Sequence, residues 1–313
     1  VTATNPMITS SAAITFQNNS EAVLSDLKVV AVLESRYRTK KATKGSQGAL
    51  DWGTLVDSAR GALKELPGSD DKVLRSRSIT WTADDLDELE SLEAGAEGTI
   101  NFQINLFDLA AAAKQITSPE DVELVLTAEV TVGKTGGVNE ELKVTGNPIH
   151  FAINSDLVLA AEARYFDKDG NQVGSGALPP QVDQKTKYRL YWTMTNSLHE
   201  VQDVLVSTDL PENVAWVNSF EVSAGEVLYN ANNHSLTWRL NRMPLDVKIV
   251  TLGFDLELTP TAPQIGKTAA LTQKMTLTSV DSATGGKIIQ TLGALTTGVE
   301  NDDQASDKGI VIK

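Results

Sequence analysis

The sequence predicts an all-β fold, built as two tandem β-sandwiches with short helical loop insertions in the first. Three observations carry this reading. Apolar and polar residues alternate along many short segments, turn residues separate those segments, and the second half repeats the order of the first. Alternation of period two places every second side chain on one face. That is the pattern of a strand with one side on a core and the other in water.

The elements follow in order. In "GTINFQINL" Ile100, Phe102, Ile104 and Leu106 share one face, and Thr99, Asn101, Gln103 and Asn105 share the other. "VELVLTAEVTV" brings Val122, Leu124, Leu126, Ala128, Val130 and Val132 into phase, and "YRLYWTMT" does so with Leu190, Trp192 and Met194. "VTLGFDLEL" repeats the alternation with Val250, Leu252, Phe254, Leu256 and Leu258. Strands this regular, parted by Gly, Asn, Asp and Pro, predict a sandwich. The helical signal is minor. "DWGTLVDSARGALKEL" (51–66) reads as a short helix stopped by Pro67 and Gly68, "TADDLDELESLEAG" as a turn or two after a Thr82 cap, and 110–116 as another short piece.

The repeat sets the domains. "AAITFQNNSEAVLSDLKVVAVLE" aligns with "YRLYWTMTNSLHEVQDVLVSTDLP", "RSITWTADDL" with "HSLTWRLNRM", and "GTINFQINL" with "VTLGFDLEL". The boundary falls near 153–156, giving a first sandwich over 1–153, with an insertion at about 35–75, and a second over 154–313. Only the second copy carries an extra leading strand, "DLVLAAEARYF". The first therefore lacks a complete opening strand: either upstream sequence has been removed or another chain supplies it. An unpaired sheet edge exposes backbone donors and acceptors and is a site for strand addition.

At this point the chain resembles a known family. "YRLYWTMTNS", "VLVSTDLPENVAWV", "LYNANNHSLTWRLNRM" and "VTLGFDLELTP" resemble the conserved-repeat domain of bacterial and archaeal surface proteins, domain of unknown function eleven. That family repeats a strand ending in Thr-Asn, a Val-rich strand ending in Asp-Leu-Pro, and a Thr-Trp strand. Here these are Thr195 and Asn196, then Asp209, Leu210 and Pro211, then Thr237 and Trp238. The likeness is strong over about 186–280. The first unit keeps Asn18, Leu33, Thr80 and Trp81 but lacks the Asp-Leu-Pro turn. The resemblance implies immunoglobulin-like sandwiches in tandem array in an exported cell-wall, fibre or surface-layer protein. It implies no catalytic residues.

Composition narrows the chemistry. With a formal charge of −14 the chain repels a phosphate backbone, so nucleic acid is not expected as a partner. The absence of cysteine removes disulfides, thiolate metal sites and cysteine nucleophiles. No uncharged apolar run approaches the ~20 residues of a membrane helix. Residues 1–7 lack the basic start and apolar middle of a signal peptide, so an exported protein is met here as a mature form or an excerpt. His150, His199 and His234 show no ligand spacing, and no nucleophile elbow, P-loop or dinucleotide fingerprint occurs. No enzyme is expected.

The remaining candidates concern contact. "RYRTKKATKG" holds Arg36, Arg38, Lys40, Lys41 and Lys44 without an acid. It reads either as a solvated loop or as a contact for an acidic neighbour or an anionic wall polymer. The uncharged face of Asn101, Gln103 and Asn105 is a second candidate assembly contact. Trp81, Trp192 and Trp238 fall in the apolar phase and are read as core, whereas Trp52 and Trp216 are open to a sugar-stacking reading. Asp167, Asp169 and Asn171 spell a hairpin turn; a full calcium loop fails, because Leu178 stands where a bidentate Glu is needed. Calcium held there with a borrowed carboxylate stays open, and no other cofactor is expected. The expected function is an extracellular structural protein that self-assembles into a surface layer or fibre as a homo-oligomer, through sheet edges or loops. The alternative is an adhesin, or a carbohydrate- or host-binding stalk module of a larger surface protein.

Overall fold

The computed structural model describes residues 8–42, 53–57, 61–106, 118 and 121–313. The chain divides into two compact units, Val1–Ile153 and Asn154–Lys313. Both are antiparallel and nearly all β. Among the described residues no α-helix occurs, and the helical content is single 3-10 turns such as Asp87–Leu89.

Unit one is built from β1 (Ile8–Gln17), β2 (Leu24–Tyr37), β3 (Gly53–Val56), β4 (Ala62–Leu66), β5 (Val73–Trp81), β6 (Ser91–Leu92), β7 (Glu97–Leu106), β8 (Val122–Thr135), β9 (Val138–Thr145) and β10 (Ile149–Ala152). One sheet has the order β1-β7-β3 and the facing one β10-β8-β2-β5-β4, with β9 also on β8. Unit two contains β11 (Val158–Arg164), β12 (Ser175–Gly176), β13 (Thr186–Thr195), β14 (Val201–Asp209), β15 (Val214–Val222), β16 (Glu226–Asn230), β17 (Ser235–Met243), β18 (Ile249–Leu258), β19 (Met275–Asp281) and β20 (Lys287–Leu292). Its sheets have the orders β11-β13-β18-β15 and β16-β17-β14-β19-β20. Strand for strand, β1-β7-β3 follows the path of β13-β18-β15, and β4-β5-β2-β8-β9 that of β16-β17-β14-β19-β20.

The alternation produces the cores. Ile100, Phe102 and Ile104 are buried while Thr99, Asn101 and Gln103 are exposed. Each unit centres on tryptophan. Trp81 packs on Phe102 with ring centroids 5.6 Å apart, and Trp192 meets Phe254 edge-on at 5.1 Å. Trp81, Trp192 and Trp238 are fully buried. Burying indole calls for a partner for its N–H. Trp81 Nε1 donates to Asp57 Oδ2 at 2.5 Å and Trp238 Nε1 to the Ala224 carbonyl at 2.9 Å.

A buried asparagine makes each crossover from one sheet to the other. Asn18, 1% exposed between β1 and β2, donates from Nδ2 to the Ala22 and Leu92 carbonyls at 2.8 and 2.9 Å. Its Oδ1 accepts from the Ser20 hydroxyl at 2.7 Å. Asn196, between β13 and β14, donates to the His199 carbonyl at 2.6 Å and accepts from the Ser155 hydroxyl at 2.6 Å. A short amide can satisfy the backbone groups that a crossing chain leaves unpaired, which accounts for Asn at both places.

The expected helix over 51–66 is corrected. Gly53–Val56 and Ala62–Leu66 are strands, pairing with β7 and β5 respectively. Gly53 lies at φ +133, outside helical space, and a Cβ there would collide with the Asn105 carbonyl oxygen. Local helix propensity loses to long-range pairing, because Leu55 opposite Ile104 and Leu63 opposite Ile79 extend both sheets. The expected turn after Thr82 is one 3-10 turn, and the segment 110–116 lies outside the described residues.

The C-terminal segment belongs to the second core. Val311 is 1% exposed, its N–H donates to the Lys267 carbonyl at 2.9 Å, and Ile312 N–H donates to the Pro180 carbonyl at 2.9 Å. Removing 307–313 would open unit two itself. Truncating the central indole gives the fold its test: Trp238→Ala should destabilise unit two by about 3–5 kcal/mol, read as a lowered denaturation midpoint. A midpoint close to that of the parent chain would contradict this packing.

Candidate assembly surface

The outer face of the β1-β7-β3 sheet is flat in chemistry. Antiparallel pairing sets Thr9 opposite Asn105, Ser11 opposite Gln103, Ala13 opposite Asn101 and Thr15 opposite Thr99. β3 adds Thr54 opposite Asn105 and Val56 opposite Gln103. Asn101 and Gln103 are exposed, Asn105 is half-buried, and the Thr9 hydroxyl donates to Asn105 Oδ1 at 2.8 Å. The structure thus brings the three singled-out residues together with Ser11, Ala13 and Thr15, which the sequence reading passed over. The alternation of "ITSSAAITFQ" is the signal that would have found them.

The two edges beside this face differ. In unit two β11 covers the outer edge of β13, from Val158 opposite Thr195 to Arg164 opposite Arg189. Gln290 on β20 then ties β11 to the other sheet, accepting from the Leu159 N–H at 2.7 Å and donating to the Leu159 carbonyl at 3.0 Å. In unit one, β1 holds the place of β13 and, among the described residues, no strand pairs with its outer edge. Across the gap, β9 presents Leu142 and Val144 on the core side, opposite Val132 and Val130. They are nevertheless 41% and 63% exposed. Apolar side chains on an inward phase but in water mark an unfinished lateral edge.

The basic stretch is met by acids of its own unit. Arg36 donates to Asp70 Oδ2 at 2.5 Å, and Lys41 pairs with Asp71. Lys40 donates to the Ser118 hydroxyl, and the N–H of Arg38 donates to the Asp121 carbonyl at 2.8 Å. The Thr39 and Lys40 N–H groups donate to the Asp121 carboxylate at 3.2 and 2.9 Å. Lys44 lies outside the described residues. Next to this loop, Glu34, Arg36, Ser76, Val125 and His150 line an open cleft of about 430 Å³. Glu34 accepts from the Ser69 hydroxyl there at 3.0 Å.

The other candidate groups are engaged structurally. Trp216 stacks on Tyr229 at 5.9 Å and leans on Phe254 of the core; Trp52 lies outside the described residues. Asp167 Oδ1 accepts from the Asp169 and Asn171 N–H groups at 2.9 and 2.8 Å, and Oδ2 from Asn171 Nδ2 at 3.0 Å. These donors, that of the Asn171 side chain foremost, hold the Asp167 carboxyl below its ordinary range. The turn therefore satisfies its own carboxylate. Among the described residues no three His, Asp or Glu side chains converge as a metal set. The melting temperature of the chain should be the same with and without a chelator, and a drop on chelation would assign an ion to this turn.

His199, 4% exposed, donates from Nδ1 to Asp281 Oδ2 at 2.8 Å. Asp281 also accepts from the Ser155, Ala283 and Thr284 N–H groups at 2.6, 2.7 and 2.9 Å. The Ser155 hydroxyl faces Asn196 and the His199 backbone rather than the imidazole, so no nucleophile–base pair forms.

Burial opposes ionisation of Asp281, but the hydrogen bonds from His199 and the backbone outweigh it and hold the carboxyl below 3.8. A depressed folded pKa contributes stability that is complete above the unfolded value and is lost as pH falls through the folded one. Unit two should therefore lose stability as pH drops below about 3.8. Asp281→Asn should lower stability at neutral pH and flatten that acid limb, checked by melting temperature against pH. An unchanged acid limb would refute the assignment.

A comparison with family models finds no match, and a comparison with curated proteins finds no relative. Solved structures similar to this chain include the following three. Three N-terminal domains of a type V pili tip protein from Porphyromonas gingivalis match at 14% identity and TM-score 0.27, over 33% of this chain and 22% of that one. This chain therefore spans about a fifth of that structure. The major pilin subunit of Bacillus cereus matches at 10% identity and TM-score 0.34, over 92% and 69%. A mu homology domain from Danio rerio with a bound peptide matches at 10% and 0.29, over 95% of each chain. At such scores the superpositions are loose, and the fold rests on the strand pairing above. No helix among the described residues is long and apolar enough to cross a membrane.

Proposed function

We propose that the chain is a non-enzymatic structural subunit of the extracellular cell surface, which joins other subunits into a fibre or layer through its sheet edges. One observation carries this reading: the outer edge of β1 is bare among the described residues, while the matching edge of β13 is covered by β11. An edge strand offers a row of backbone donors and acceptors, and soluble proteins usually blunt such an edge with charge, proline or a bulge. β1 has none of these; "ITSSAAITFQ" is uncharged, and its pairing with β7 is unbroken from Ile8 to Gln17. The uncharged face of Ser11, Ala13, Thr15, Asn101 and Gln103 beside it supports the same reading. The resemblance of the second unit to surface-protein repeats, and the self-paired state of the candidate acids and histidines, favour structure over catalysis.

Sedimentation and electron microscopy of the purified chain test this. The chain is expected to form ordered polymers, and Asn101→Lys with Gln103→Lys should reduce them by adding like charge to the flat face without touching the core. A chain that stays monomeric at all concentrations would refute self-assembly. Polymers that survive deletion of residues 1–10 would remove β1 from the contact.

A further inference from the structure

The bare edge of unit one differs from its counterpart in volume as well as in pairing. With the crossover residues Asn18 and Asn196 superposed in sequence, Phe16, Ile14, Ala12 and Ser10 of β1 correspond to Met194, Trp192, Leu190 and Tyr188 of β13. The pairing agrees, since Ala12 lies opposite Phe102 and Leu190 opposite Phe254. The four residues of β13 are wholly buried, whereas Ser10 is exposed and Ala12 half-buried. In unit two the covering strand is the small partner: Ala161 lies opposite Trp192 and Ala163 opposite Leu190. In unit one the small residues are on the sheet itself. A neighbour on that edge, which is bare among the described residues, would therefore have to bring the bulk.

The facing sheet shows the same change. Pairing registers put Val144, opposite Val130, at the position that Gln290 holds opposite Leu277. Gln290 grips the backbone of β11, but Val144 offers only an apolar surface, beside Leu142.

We infer that the lateral slot between β1 and β9 receives an extended segment of a partner protein. That segment pairs with β1 and carries large aliphatic or aromatic side chains at every second position, over Ala12 and Ser10. The inference rests on the assembly reading above and names the chemistry of what fills that edge. A second copy's β11 does not fit. In its own unit it is already buried, with Leu159 1%, Ala163 4% and Tyr165 4% exposed, and although Tyr165 would bring bulk over Ser10, Ala163 would leave Ala12 facing another alanine.

The test adds a capped synthetic peptide alternating Leu or Phe with Thr to the full chain. Hydrogen exchange along β1, the melting temperature and the binding constant are then measured. The peptide should protect the β1 amides and raise the melting temperature. Ser10→Leu with Ala12→Leu should fill the slot from within and weaken binding about tenfold or more, since one large apolar side chain is worth that much on burial. Val144→Lys, at an exposed position away from β1, should weaken it as well and guards against misfolding of the first variant.

Three outcomes would overturn the inference: no protection of β1, binding unchanged in both variants, or equal binding of the peptide DLVLAAEARYF taken from residues 156–166. A chain that polymerises but ignores the alternating peptide loses this inference alone. A chain that binds the peptide but never self-associates keeps the slot and loses the assembly reading.

Discussion

A two-layer β-structure depends on burying the apolar inner faces of its two sheets against each other. The centre of each unit is filled around buried tryptophan, Trp81 with Phe102 in the first and Trp192 with Phe254, beside Trp238, in the second. Closure of the flank is what separates the units. In unit two a covering strand and one glutamine, Gln290, seal the margin. In unit one, among the described residues, the same margin ends in Ser10, Ala12, Leu142 and Val144.

The strands and the cores were legible because alternation is a local signal: Ile100, Phe102 and Ile104 face inward as their spacing required. The tryptophans were legible for the same reason. The segment 51–66 was not, because its backbone partners lie on β7 and β5, well away in sequence, and no local pattern records them. The basic stretch shows the same limit. Arg36, Lys41 and the backbone around Thr39 meet Asp70, Asp71 and Asp121, residues that composition places in the chain but not beside the loop. Of the assembly face, Asn101, Gln103 and Asn105 could be read from one strand, while Ser11, Ala13 and Thr15 required the register of a second. The exposure of Leu142 and Val144 depends on which strands lie beside them, and no pattern within their own segment can reveal that.

The exchange of volumes also explains how two units with one strand order tolerate low sequence likeness. Gly98 lies opposite Phe16, and a Cβ at Gly98 would collide with the Phe16 ring; at the matching place Val250 faces Met194. At this pair bulk moves from one strand to the other, whereas at Ala12–Phe102 against Leu190–Phe254 it is lost. The crossover asparagine cannot be traded in this way, because its value lies in hydrogen bonds of fixed length, and it is present in both.

Val311 bears on how the protein answers tension. A pull delivered at Lys313 acts first on the Ile312 N–H bond to the Pro180 carbonyl and on the Val182 N–H bond to the Ile312 carbonyl. It must next draw Val311 out of the core. The load therefore enters the second unit at a packed anchor rather than at a fraying end, and passes to Lys267 and Gly266 through the bonds flanking Val311. In the proposed assembly, Val311 and Ile312 would hold unit two closed against such a pull.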